Sequence, residues 1–227
     1  MVDFVSLGGS CAVAYHLRQN IENFSRMPFD WVKITIQQLN EVLKTDFDSR
    51  YTDLVIKKFS ENHPFIDDHG KIDDNQGSFI LVNSLKIQFA HQIVEKGGVE
   101  TFIPLLKQRI NSFRNLSGGD GENGDDDGDD GEEGQIKFVR LETSRIGKNY
   151  LTDLELLCQN LRKYSGSRSI SLILIVHAES LSLFDKYNDK EGNKYINGCK
   201  VILYTFPEFD SDWKYPEIDW SGIFSHK

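Results

Sequence analysis

Cysteine is scarce in this chain, with three in 227 residues, at Cys11, Cys158 and Cys199, and none in a Cys-x-x-Cys pair. That excludes a disulfide framework and the common structural zinc patterns, and it points to a reducing compartment. Long apolar runs are missing as well. Nowhere do about 18 apolar residues follow one another, and no basic segment leads into an apolar stretch, so neither a membrane span nor a secretory signal is expected. A cytoplasmic protein with no membrane partner is the expectation. A basic face is also lacking. The formal net charge is −9, yet residues 118–134 alone hold nine acids and no base, and without them 26 acids stand against 26 bases. The acidity belongs to a tract rather than to a surface, which argues against nucleic-acid binding. Neither a G-x-G-x-x-G fingerprint nor a P-loop lysine occurs, and the acidic tract lacks the twelfth-position Glu of a calcium loop, so no cofactor and no metal is expected.

What is present begins at the N-terminus. Phe4-Val5-Ser6-Leu7 is β-prone, Gly8-Gly9 breaks it, and Ser10-Cys11-Ala12 opens a helix-prone run. A cysteine at a helix start meets the positive end of the helix dipole, which favours the thiolate. Cys11 is therefore the leading candidate nucleophile. The backbone N–H groups of residues 10–12 are candidate oxyanion donors, with Gly9 and Ser10 as ligand-binding positions.

Periodicity predicts helices over 12–19, 35–47, 99–116 and 151–164, strands over 136–141, 170–176 and 200–206, and a short helix over 180–187. The runs 79–82 and 85–91 flank Asn83-Ser84 and read as a hairpin with Leu85, Ile87 and Phe89 on one face. Residues 54–56 form a candidate short strand in a polar stretch, and the tail 208–227 reads as irregular packing. Gly, Asp and Glu dominate 117–135, which is expected to be a disordered loop suited to a basic partner. The sum is one α/β domain over 1–227, a Rossmann-like three-layer arrangement with a largely parallel central sheet, flanking helices and a hairpin-like insertion in the middle. Such sheets carry their sites at the carboxyl ends of the strands, where Cys11 and His177 both fall.

A cysteine nucleophile needs a base. Among six histidines, His91, closing the alternating strand, and His177, at a strand end, are the candidates. Arg109 borders the buried face of its helix, within reach of a site.

The run Val5 to Cys11 with Ala14-Tyr15-His16-Leu17-Arg18, followed by Pro28-Phe29-Asp30-Trp31-Val32, resembles a family from bacteria and large DNA viruses described as papain-like cysteine peptidases. The likeness extends through Phe89-Ala90-His91, the Arg109 helix and Phe138-Val139-Arg140. It implies Cys11 as nucleophile and His91 as base, although Gln92 stands where the family commonly has aspartate. Glu142 or Asp30 would orient the imidazole. The expected activity is thiol-dependent hydrolysis or acyl transfer on a peptide, acyl or glycan conjugate. The competing readings are an esterase-like enzyme using Ser10, a module holding a phosphate or nucleotide-sugar at the Gly-Gly-Ser turn, and an interaction protein working through the acidic tract.

Overall fold

The computed structural model describes residues 2–58, 79–89, 98–117, 134–188, 193–206 and 214–225. The chain opens with β1 (Val2–Ser6) and α1 (Cys11–Asn20), followed by β2 (Val32–Lys33), α2 (Ile36–Lys44), α3 (Ser49–Thr52) and β3 (Leu54–Lys58). Next come β4 (Phe79–Asn83), β5 (Gln88–Phe89), α4 (Gly98–Arg114) and β6 (Gln135–Leu141). The last part holds α5 (Asn149–Leu161), β7 (Ser169–His177), β8 (Lys194–Ile196), β9 (Cys199–Phe206) and α6 (Trp220–Ser225).

Two sheets form. The larger has the order β1-β6-β7-β9-β8, parallel throughout except for the edge strand β8. The expected mixed α/β fold with a largely parallel central sheet is what the chain adopts. Alternation along β7 explains why its sequence is apolar almost throughout: Ile170, Leu172, Leu174 and Val176 face one core cluster, while Ile173 and Ile175 face another. A strand buried on both faces has no polar side to show. On the first face lie α2, α4 and α5; on the second lie α1 and α6, through Ala12, Val13, Leu17, Trp220 and Ile223. This is the three-layer order.

The hairpin in the middle of the chain is present, and it is part of something larger. β4 and β5 pair antiparallel within a four-stranded sheet ordered β2-β5-β4-β3. Its second strand starts later than the alternation predicts, at Gln88. The Asn83 side chain accepts hydrogen bonds from the Leu85 and Ile87 N–H groups, and Lys86 takes φ +61°, so the turn consumes the residues up to Ile87. The tail also gains order beyond expectation, since α6 packs on α1 and Trp220 stacks on His16 at 4.3 Å. Most of the acidic tract, 118–133, lies outside the described residues. Among the described residues no helix is long and apolar enough to cross a membrane.

Candidate active site

The Gly8-Gly9 turn has a stereochemical reason. Both residues have positive φ, +70° and +87°, where only glycine sits without strain. Neither has room for a side chain. A Cβ on Gly8 would lie 2.7 Å from Ile34 Cγ2 and 3.3 Å from the Phe29 carbonyl oxygen; on Gly9 it would lie 2.3 Å from the Leu141 carbonyl oxygen. The turn is thus pressed between the Phe29–Ile34 segment and the end of β6. The Ser10 hydroxyl then caps α1 by accepting from the Ala12 N–H at 3.2 Å, which commits that N–H to the cap. Ser10 is buried, and Cys11, the first residue of the helix, is partly exposed. The other two cysteines differ. Cys158 and Cys199 are fully buried, and their mutual hydrogen bond, together with burial, pushes the Cys158 thiol far up. Only Cys11 among the three has solvent access.

Arg140 locks this region. It is the largest fully buried side chain among the described residues, and its guanidinium donates to the Leu7 and Ile34 carbonyls, each at 3.1 Å, and to Glu142. Those partners tie together the end of β1, the start of α2 and the end of β6. Burial is the largest single influence and works against its charge, but Glu142 and Tyr150 together outweigh it, so its pKa is raised. Glu142 Oε1 also accepts from the Tyr150 hydroxyl at 2.7 Å. Burial, then the Glu142 charge, push that phenol well above its ordinary range. By strand alternation Arg140 and Glu142 project on the face of the larger sheet opposite α1. Arg140 was not singled out by role in the sequence, although a charged residue inside the apolar run 136–141 is a signal.

His177 projects on the α1 face, in phase with Ile173 and Ile175. Its ring packs edge-on against Phe206 at 5.8 Å, and Nδ1 accepts from the Glu179 N–H at 3.4 Å, capping the 3-10 helix Ala178–Tyr187.

Asp30 sits in the segment that packs on Gly8. It is 1% exposed; Oδ2 accepts from the Met27 N–H at 2.8 Å, while Oδ1 has no hydrogen-bond partner. Burial lifts its pKa to about 7, against the Met27 N–H and the positive charges of Arg109 and Arg26. Arg109 is half-buried. Its guanidinium lies 5.8 Å from the centre of the Phe102 ring, burial depresses its pKa, and the Asp30 charge works against that depression. Tyr51, which senses both charges, donates to the Pro28 carbonyl at 2.8 Å and packs edge-on against Phe89. Two candidates 79 residues apart in sequence, Asp30 and Arg109, are therefore neighbours in charge. Trp31 beside them holds φ +60°, a conformation that is strained for a bulky residue and that clusters at functional sites. Phe89 pairs with Val32. His91, two residues further on, lies outside the described residues.

Asp30 gives a pH prediction. Its folded pKa, raised from 3.8 to about 7, means that the native state retains a proton which the unfolded chain releases, so stability falls as pH rises from about 4 to about 7. Three pKa units correspond to at most about 4 kcal/mol. Asp30→Asn should therefore flatten the pH dependence and gain stability relative to wild type between pH 5 and pH 8, as read by urea denaturation at both. Equal slopes for the two proteins would contradict the burial argument.

Among the described residues no group of three or more His, Cys, Asp or Glu side chains could hold a metal ion. The model of a family described as "Putative papain-like cysteine peptidase" matches residues 2–180, and the chain belongs to that family. An uncharacterised protein of Acanthamoeba polyphaga mimivirus is 26% identical over 230 aligned positions, covering 97% of this chain and 96% of that relative. No solved structure matches significantly.

Proposed function

We propose that this member of the family is a cysteine-dependent hydrolase or acyl transferase with Cys11 as nucleophile and His91 as base. The carrying observation is that Cys11, partly exposed, is the first residue of α1, one residue after a Gly-Gly turn against which the Asp30 segment is packed. Its thiol proton passes to the imidazole, and the thiolate attacks the substrate carbonyl carbon. Charge develops on the carbonyl oxygen near the helix start, where the dipole stabilises it. The imidazolium then returns the proton to the leaving group, and water or another acceptor releases the acyl group from sulfur.

Asp30 is the better third residue. Glu142 is held by Arg140 and Tyr150, whereas Asp30 Oδ1 is buried with no partner and accepts readily from a cationic ring. Arg109 keeps positive charge beside it. We assign the chain a single α/β domain and a peptide, acyl or glycan conjugate as substrate.

The test is a rapid-mix assay with p-nitrophenyl acetate, followed by intact mass. The expected result is a burst of about one nitrophenolate per protein and an acetyl adduct mapped to Cys11. A linear time course with no adduct, or an adduct on Ser10, would reject Cys11 as the nucleophile.

A further inference from the structure

A cleft lies at the carboxyl edge of the larger sheet. It encloses about 680 Å³ between the β2–α2 junction, the turn after β4 and the loop joining β6 to α5. That is the size range of small-molecule sites, and the carboxyl edge of a parallel sheet is where α/β folds bind ligands. Its lining carries four cations, Lys33, Lys86, Arg145 and Lys148, against one acid, Glu142, which Arg140 already neutralises. Outside residues 118–134 the chain carries 26 acids and 26 bases, so this excess of positive charge is local. Cations placed around a concavity focus a positive field into it, which favours an anion there.

We infer that this cleft binds a compact polyanion of the diphosphate type, independently of the chemistry proposed for Cys11. The cations come from three separate segments placed around one space. Three segments around one cleft suit a compact charge, whereas a strip along one groove would suit an extended acidic peptide. Lysine serves as a mobile point charge for phosphate, and Arg145 adds a forked donor. The surface pair of Arg145 with Glu179, at 3.0 Å with both side chains more than half exposed, is weak and exchangeable. α5 begins at this wall with no acidic residue in its first turn and no side-chain cap. Its Tyr150 and Leu151 N–H groups turn back onto the Gly147 and Lys148 carbonyls, so it contributes its dipole rather than free donors. Gly9 forms part of the wall, so the cleft reaches the turn that precedes Cys11.

The full chain should be titrated calorimetrically at low ionic strength with pyrophosphate, ADP, orthophosphate and adenosine. Pyrophosphate and ADP are expected to bind, orthophosphate about tenfold more weakly, and adenosine not at all. The double variant Arg145→Ala/Lys148→Ala should weaken pyrophosphate by about tenfold or more, equivalent to about 1.4 kcal/mol, with an unchanged thermal melt. Lys33→Gln serves as a second, independent variant from a different wall. Absence of pyrophosphate binding, or binding that both variants leave intact, would overturn the inference. Hexaglutamate binding more tightly than pyrophosphate would overturn it in favour of an acidic peptide.

Discussion

Arg140→Ala is expected to destabilise the protein by about 3–5 kcal/mol, the range for breaking one partner out of a buried ion pair. Three losses combine. The Leu7 and Ile34 carbonyls lose their buried donor, Glu142 retains its charge beside Tyr150 without a cation, and a cavity opens behind the Gly8-Gly9 turn. Leaving a buried acceptor unmatched costs about 1–3 kcal/mol by itself. The double variant Arg140→Met/Glu142→Gln should recover part of the loss, because it removes the stranded charge and fills much of the space. Urea denaturation of the three proteins checks this. A loss below about 1 kcal/mol for Arg140→Ala would mean that the clamp between β1, α2 and β6 is ornamental.

The second large effect concerns chemistry rather than stability. Cys11→Ala should lower turnover of an activated ester by about a thousandfold or more, since what remains is binding and electrostatics alone. Stability should change little, because Cys11 is a partly exposed helix-start residue. His91→Ala should produce a comparable loss. Groups that act as a unit are not additive, so the double variant Cys11→Ala/His91→Ala should be about as slow as either single one. Multiplicative losses in the double variant would indicate separate roles. A Cys11→Ala protein within a few-fold of wild type would remove the cysteine from the mechanism.

Much of the frame was readable along the chain because it rests on local signals. The strand, Gly-Gly turn and helix start at residues 4–20 follow from β-propensity, positive-φ glycine and a serine cap. The helices α2, α4 and α5 follow from apolar stripes, and β6, β7 and β9 from short apolar runs. The antiparallel sheet was only half visible, because β2 and β5 are two residues long and exist through pairing with distant strands. No periodicity marks a two-residue strand. β8 and α6 were missed for a similar reason: each is short and is held by what it packs against.

The site divides in the same way. Cys11 and Arg109 each carried a local signal and Asp30 came only from the family resemblance, yet only the fold shows Asp30 buried with an unpartnered oxygen beside the Arg109 charge. Glu142 and His177 were chosen for their places at strand ends. The tertiary contacts of Glu142 engage it with Arg140 and Tyr150, and His177 caps a 3-10 helix. The basic cleft left no trace in the sequence at all, because Lys33, Lys86, Arg145 and Lys148 are ordinary surface charges until the chain gathers them.

The proposed chemistry needs a reactive thiolate at the start of α1, and the rate of alkylation as a function of pH measures that directly. Iodoacetamide labelling of each cysteine should be followed by peptide mapping from pH 5 to pH 9, with the urea-unfolded chain as reference. The prediction is that Cys11 in the native protein reacts with an apparent pKa well below the free-thiol value of about 8.5, and that this low ionisation is lost in His91→Ala. A native Cys11 that titrates like the unfolded thiol, or reacts more slowly than it at every pH, would contradict an activated thiolate at this helix start.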